Sequence, residues 1–158
     1  MTKPHVFSPS ISTVLEEFFG GYQRGASVAV RTRIAAVRSD LERHLELEGP
    51  RILASGQLLI LNTEKQFDPE GVFVRTMHAD DLYYALQHYL DPVHALESTP
   101  LRDTQLDVVA ALAESLWRRQ LISEGTVSEC TVMEFEIALT RGRDVVKAPR
   151  GRGPDSRD

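Results

Sequence analysis

Five histidines are the residues of this chain that could bind a metal or move a proton: His5, His44, His78, His88 and His94. No two of them are four residues apart and none completes a Glu-x-x-His pattern, so the usual helical zinc and di-iron spacings are absent. Histidines without such spacing ordinarily lie on the surface or half-buried. A site that joins His78 and a neighbouring aspartate in space to His88 or His94 stays open, but the sequence predicts no metal ligand and no cofactor.

Nucleophiles and acid–base pairs also lack a recognisable pattern. No serine lies in a Gly-x-Ser-x-Gly elbow, and Cys130 has no local signature of a catalytic thiol. The pairs Glu16-Glu17 and Asp80-Asp81 are typical of solvated helix surfaces. The glycine-containing segment 20–25 lacks the Gly-Lys-Ser/Thr ending of a phosphate loop and indicates a turn between helices. The sequence therefore predicts no catalytic residue.

Three arginines form the most ordered charged pattern. Arg24, Arg31 and Arg38 are spaced by seven residues, so a helix that reached back to Arg24 would align them beside its apolar stripe. Such a row could contact phosphates. Acidic residues follow closely, so intrahelical salt bridges would explain the same row. Both interpretations stay open.

Composition is that of an ordinary globular domain, with 42% hydrophobic and 26% charged residues in a chain of 158. No run of about 18 apolar residues is present, and the first residues do not form a hydrophobic signal core. One unpaired cysteine is typical of a reducing compartment. These features predict a cytoplasmic protein that has no membrane partner.

Charge is distributed unevenly along the chain. Residues 141–158 carry six Lys or Arg against three Asp or Glu, whereas the whole chain has a net charge of −5. This last stretch is rich in Gly and Pro and poor in apolar residues, which predicts a basic disordered tail. We expect a flexible N-terminus over 1–9, one helical domain over 10–140 and the tail over 141–158. The acidic body argues against general nucleic-acid binding.

Apolar periodicity predicts several helices. A stripe at steps of three and four residues predicts a helix over 27–48, and similar patterns predict one over 79–90 and one from a cap at Thr104 to Gly125. A shorter helix is predicted from Thr13, with Gly20-Gly21 stopping or breaking it. Another is predicted from Thr131 to just before Gly142.

Residues 51–76 are the least determined part of the sequence. The four apolar residues 58–61 fit a buried helix or a strand, because so short a run does not define a period. Residues 72–74 have strand character and follow a turn at 68–71. The predicted fold class is therefore mainly α, an irregular bundle of about five helices. A small β-hairpin near residues 58–76 is the open alternative.

Three segments in order resemble a known helical module. They are Glu17 to Tyr22 followed by Arg31–Ile34 and Leu41–Leu45, then Ala79–Leu90, then Thr104–Ile122. This order is similar to that of the SAM-like core-binding domain at the N-terminus of tyrosine recombinases and phage integrases, a small helical bundle that clamps DNA. The stretch between Glu48 and His78 is longer than the family pattern, and the acidic body is a second departure.

The resemblance implies a DNA-contacting helical module without strand cleavage. No His-x-x-Arg pair is present, and too few residues follow Ile122 for a catalytic domain. The phosphate contacts that the resemblance implies are Arg24, Arg31, Arg33, Arg38, Arg118 and Arg119.

Three functions follow as expectations. The first is a non-catalytic module that contacts double-stranded DNA through those arginines. The second is a protein–protein interaction or regulatory bundle, with a homodimer as one form, whose exposed apolar interface would include Tyr84, Trp117, Leu121 and Phe135. The third is a small-ligand binder or enzyme assembled from Tyr, His and Asp residues that are distant in sequence.

Overall fold

Seven α-helices make up most of the computed structural model, which describes residues 8–147. They are α1 (Ile11–Tyr22), α2 (Val28–Glu48), α3 (Ser55–Phe67), α4 (Val72–Thr76), α5 (Ala79–Tyr89), α6 (Thr99–Arg118) and α7 (Glu129–Lys147). Short 3-10 turns lie at Gly49–Ile52 and Pro92–His94. The predicted mainly helical class is confirmed. Residues 1–7 and 148–158, which hold most of the predicted flexible N-terminus and basic tail, lie outside the described residues.

The predicted hairpin near residues 58–76 is wrong, and the helices α3 and α4 occupy this region instead. Within residues 8–147 the only β-pairing is an isolated bridge between Ser10 and His78. Helix α4 forms because Glu46 accepts hydrogen bonds from the backbone amides of Phe73 (3.2 Å) and Val74 (3.3 Å). These are orphan amides of the first helical turn, and a carboxylate from α2 satisfies them. The two additional helices also correct the expected number of about five.

Serine hydroxyls cap three of the helices. Ser10 caps α1, Ser27 caps α2 and Ser98 caps α6, each accepting from a backbone amide three residues later. Helix α6 thus begins at Thr99, and the hydroxyl of Thr104 lies inside it and donates to the carbonyl of Pro100 (2.9 Å). A threonine within a helix can bond to the preceding turn, so its presence does not mark a start.

Glycines do not end the helices where the sequence suggested. Helix α1 passes through Gly20 and Gly21 to Tyr22, and α6 ends at Arg118, before the predicted limit at Gly125. Helix α7 continues past Gly142 to Lys147, so the first seven residues of the predicted disordered tail are helical. The predicted helices over 27–48 and 79–90 are confirmed as α2 and α5.

Helix α5 lies at the centre of the bundle. It contacts α1, α2, α6 and α7, and seven of its eleven residues are buried. The Tyr83 ring stacks on Phe135 of α7 with centroids 4.9 Å apart and meets Trp117 of α6 edge-on at 6.0 Å. Aromatic pairs in these geometries add stability beyond the area that they bury. Tyr83 and Tyr89 are both fully buried in the core.

Candidate functional site

The six arginines proposed as phosphate contacts fall into two groups. Arg38 pairs with Glu42 at 3.0 Å and lies over the Phe19 ring, and Arg119 pairs with Glu17 of α1. The other four have no carboxylate within 4 Å among residues 8–147: Arg24, Arg31, Arg33 and Arg118. Arg24 lies in the turn after α1 rather than on α2, so the predicted row along one helix does not form.

A groove between α1 and α6 holds two of these arginines. It has a volume of about 500 Å³, and its lining includes Arg118, Arg119, Glu17 and Glu114. Two guanidinium groups therefore face two carboxylates. The groove has no net positive charge to attract a phosphate backbone.

The interface predicted from the sequence is largely core. Phe135 is 1% exposed and stacks on Tyr83, so its place in an exposed patch is wrong. Trp117 and Leu121 are half-buried and pack against the core, and Tyr84 is half-buried on α5. Trp117 and Phe135 lie inward because α6 and α7 pack their apolar sides against Tyr83 of α5.

Helix α3 instead presents an apolar outer face. Leu59, Ile60 and Phe67 are 69%, 55% and 82% exposed. Together with exposed Thr63 they fall within about 100° of arc on a helix of 3.6 residues per turn. A smaller apolar stripe on α7 consists of Met133 and Ile137. We call Leu59, Ile60, Thr63 and Phe67 the α3 face.

Hydrogen bonds at both ends hold α3 in place. At its start, Gln57 donates to the buried carboxyl of Asp81 on α5 (2.8 Å), and burial raises the pKa of Asp81. After its end, Arg75 donates to the carbonyls of Asp68 (2.8 Å) and Glu70 (2.6 Å). The turn that follows the exposed ring of Phe67 is therefore held by hydrogen bonds to Arg75.

A polar cavity lies between α2 and the 3-10 turn at Pro92–His94. It has a volume of about 310 Å³, and its lining includes Asp40, His44, Tyr89 and His94. The Tyr89 hydroxyl donates to Asp40 (2.7 Å), and the His44 ring lies 4.6 Å from His94 and 5.0 Å from Tyr89 between centroids. We call this the His44 cavity. It joins the Tyr, His and Asp side chains that a ligand-binding role was expected to need.

His44 is the unusual group of this cavity. It is 7% exposed, and its buried Nε2 atom has no hydrogen-bond partner among the described residues. Its pKa falls to about 4, chiefly because burial disfavours the imidazolium, with nearby His94 and His88 adding to the shift and Glu48 and Asp40 opposing it. Local spacing could not have signalled this site, because His94 follows His44 only after several intervening elements.

Other classes of site find little support. Within residues 8–147 no group of three or more His, Cys, Asp or Glu side chains could hold a metal ion. The lone Cys130 is exposed near the start of α7. A second cavity of about 290 Å³ lies between α5, α6 and α7, but its Arg102 and Gln105 already donate to backbone carbonyls. No helix within 8–147 is long and apolar enough to cross a membrane.

Comparison of the chain with protein-family models, curated proteins and solved structures finds no match.

The depressed pKa of His44 predicts a loss of stability in mild acid. In the unfolded chain His44 titrates near its ordinary value of about 6.5, so between that pH and about 4 the unfolded state binds more protons than the folded one. Between pH 7 and pH 5 we expect the wild type to lose about 2 kcal/mol of unfolding free energy through this residue.

Urea unfolding at pH 7 and pH 5 measures the unfolding free energy of the wild type and of His44→Phe. The variant should not show the part of the pH-dependent loss that comes from His44. His78→Asn, at the exposed cap of α5, is the control, and it should lose as much unfolding free energy between the two pH values as the wild type does. An identical pH dependence in wild type and His44→Phe contradicts the assignment.

Proposed function

We propose that this protein is a helical interaction module that associates with a second copy of itself through the α3 face. The observation that carries the proposal is the exposure of Leu59, Ile60 and Phe67 on one side of a helix whose ends are both fixed. Monomeric proteins rarely expose large contiguous apolar patches, and such patches commonly mark interfaces.

Helix α3 is apolar on two opposite sides. Leu61 is buried and Leu58 packs against the core on the inner side, whereas the α3 face points outward. A surface helix normally carries a single apolar stripe, which faces the core. The inner side explains why α3 joins the bundle, and a partner would cover the outer side.

The spacing of the α3 face suits an identical partner. Leu59 and Phe67 each lie four residues from Thr63. An antiparallel pair of α3 helices related by a two-fold axis at Thr63 would place each Phe67 against Leu59 of the second copy. The Thr63 hydroxyl already donates to the carbonyl of Leu59 (2.7 Å), so it needs no water at the centre of the contact.

The energetics indicate a weak dimer. Burying a large apolar side chain contributes about 1.5–3 kcal/mol, so six partly exposed side chains contribute on the order of 10 kcal/mol. Association costs about 4–15 kcal/mol in lost translational and rotational freedom. The dimer should therefore form at micromolar or higher protein concentrations and dissociate on dilution.

Replacing Phe67 with lysine should abolish self-association. Because the contact is two-fold symmetric, the substitution removes two buried rings and introduces two cations into it. We therefore expect the dimer dissociation constant to rise by about 100-fold. Phe67 is the last residue of α3 and is exposed, and a cation suits a helix C-terminus, so the fold should be retained. Sedimentation velocity over a concentration series measures the change.

Met133→Lys is the matched control, because Met133 is an exposed apolar residue on the smaller stripe of α7. It should leave the dissociation constant unchanged. A wild type that stays monomeric at high concentration, or a dimer disrupted by Met133→Lys and not by Phe67→Lys, contradicts the proposal.

A second candidate function is the contact with double-stranded DNA that the resemblance to integrase core-binding domains implies. It is favoured by the four arginines that have no carboxylate partner, since an unpaired guanidinium is free to bind a phosphate. It is opposed by the surrounding charge, because the chain carries 23 acidic against 18 basic residues.

Anisotropy titration of labelled duplex DNA at low and physiological salt tests the second candidate. We expect salt-sensitive binding that weakens when Arg24 and Arg31 are both changed to alanine. The matched control changes Arg43 and Arg51, which are exposed but pair with Asp40 and Glu48, and should bind as the wild type does. Equal losses in both variants, or no binding, contradict it.

A further inference from the structure

We infer that the groove between α1 and α6 binds a free α-amino acid with an aromatic side chain. The carboxylate of the ligand lies at Arg118, its ammonium group at Glu114 and its ring against α1. The site goes beyond the proposed self-association, because no residue of the α3 face lines the groove.

Opposite charges are separated along the side of α6 that lines the groove. Glu114 and Arg118 are both exposed, and neither has an oppositely charged partner within 4 Å among residues 8–147. A Glu four residues before a basic residue on a helix is placed to pair with it. The gap between these two side chains instead suits a ligand with both charges, whose ammonium group meets the carboxylate and whose carboxylate meets the guanidinium fork.

Neighbouring charges extend the same polarity along the groove. At the acidic end, burial and the nearby carboxylate of Asp107 raise the pKa of the Tyr22 phenol. At the basic end Arg119 already pairs with Glu17, so this pair closes the groove without offering a free charge. A ligand with one charge would be attracted at one end and repelled at the other, whereas a zwitterion is attracted at both.

Two stacked rings of α1 form the aromatic wall of the groove. The Phe18 and Tyr22 rings lie 5.0 Å apart between centroids at an interplanar angle of 20°. The Phe19 ring meets Phe18 edge-on at 5.1 Å and holds this wall against the core. Phe18 and Tyr22 are only partly buried, so a ligand ring can reach them and add to the stack.

Small residues form the floor of the groove. Gly21 lies inside α1, where glycine destabilises a helix relative to alanine. A Cβ atom at Gly21 would meet no atom of the described chain within 4 Å, so internal packing does not require a glycine there. Glycine also serves where a ligand approaches the backbone closely. With Ala111 and Ser115 on α6, it leaves a volume of about 500 Å³, which is typical of a small-molecule site.

Phenylalanine is a suitable probe, because two derivatives keep its ring and lose one charge each. N-acetylphenylalanine lacks the ammonium group, and phenylalanine amide lacks the carboxylate. Arginine side-chain signals in ¹H–¹⁵N spectra of the full-length protein report binding at Arg118. We expect phenylalanine to shift the Arg118 signal saturably at millimolar concentrations, because the contacts are few and exposed. Each derivative should bind about tenfold more weakly.

Gly21→Leu tests the groove without removing a charge. The leucine side chain should fill the floor and weaken phenylalanine binding by about tenfold, while its higher helix propensity keeps α1 folded. Gly20→Leu is the matched control and should bind as the wild type does, because Gly20 is equally open in the same helix but does not line the groove. Arg118→Gln should also weaken binding by about tenfold, whereas Arg31→Gln, at an exposed arginine of α2, should not.

Equal affinity for phenylalanine and for either derivative overturns the inference, as does equal binding by Gly21→Leu and Gly20→Leu. An unchanged affinity in Arg118→Gln overturns it as well, and so does the absence of a saturable shift up to the solubility limit of phenylalanine. A peptide that ends in phenylalanine and binds as tightly as the free amino acid would overturn it in favour of a site for a chain terminus.

Discussion

The constraint on which the rest of the structure depends is the burial of α5 on nearly all sides. This helix carries two polar groups into the interior, the carboxyl of Asp81 near its start and the hydroxyl of Tyr89 at its end. A buried polar group without a partner is strongly destabilising, so each must be met by another element. Asp81 is met by Gln57 of α3, and Tyr89 by Asp40 of α2. These two hydrogen bonds place α3 and α2 around the central helix.

Both candidate sites are consequences of that placement. Gln57 ties the start of α3 to α5, so the apolar side chains on its far side are left pointing outward as the α3 face. Tyr89 draws Asp40 to the end of α5, and the neighbouring turn of α2 brings His44 against His94. The α3 face exposes apolar side chains, and the His44 cavity is lined mainly by polar and charged side chains.

The sequence predicted the elements whose apolar pattern is long enough to define a period. Helix α2 repeats its apolar stripe over about four turns, and the helix predicted over 27–48 agrees with the observed Val28–Glu48. Residues 58–61 contain four consecutive apolar side chains, which cannot share one face of a helix. Such a run is consistent with a helix that carries apolar side chains on both its inner and its outer side, as α3 does. It is equally consistent with a buried strand.

Features that depend on contacts between distant parts of the chain could not be predicted from the sequence. Helix α4 forms because Glu46, distant in the chain, caps it, and Phe135 is core because α7 turns it toward Tyr83. The burial of His44 depends on a turn that α6 fixes through Gln105. Periodicity identifies which side of a helix is apolar, but not which neighbour covers it.

Disulfide trapping at Thr63 tests the central claim, the symmetric pairing of α3, most directly. In a Cys130→Ser background, Thr63→Cys should cross-link two copies rapidly under mild oxidation, because the two-fold axis brings the two residues 63 face to face. Asn62→Cys, one residue away and turned off the α3 face, should cross-link far more slowly. Equal cross-linking at both positions, or none at Thr63→Cys at concentrations where the wild type should be dimeric, would contradict the account.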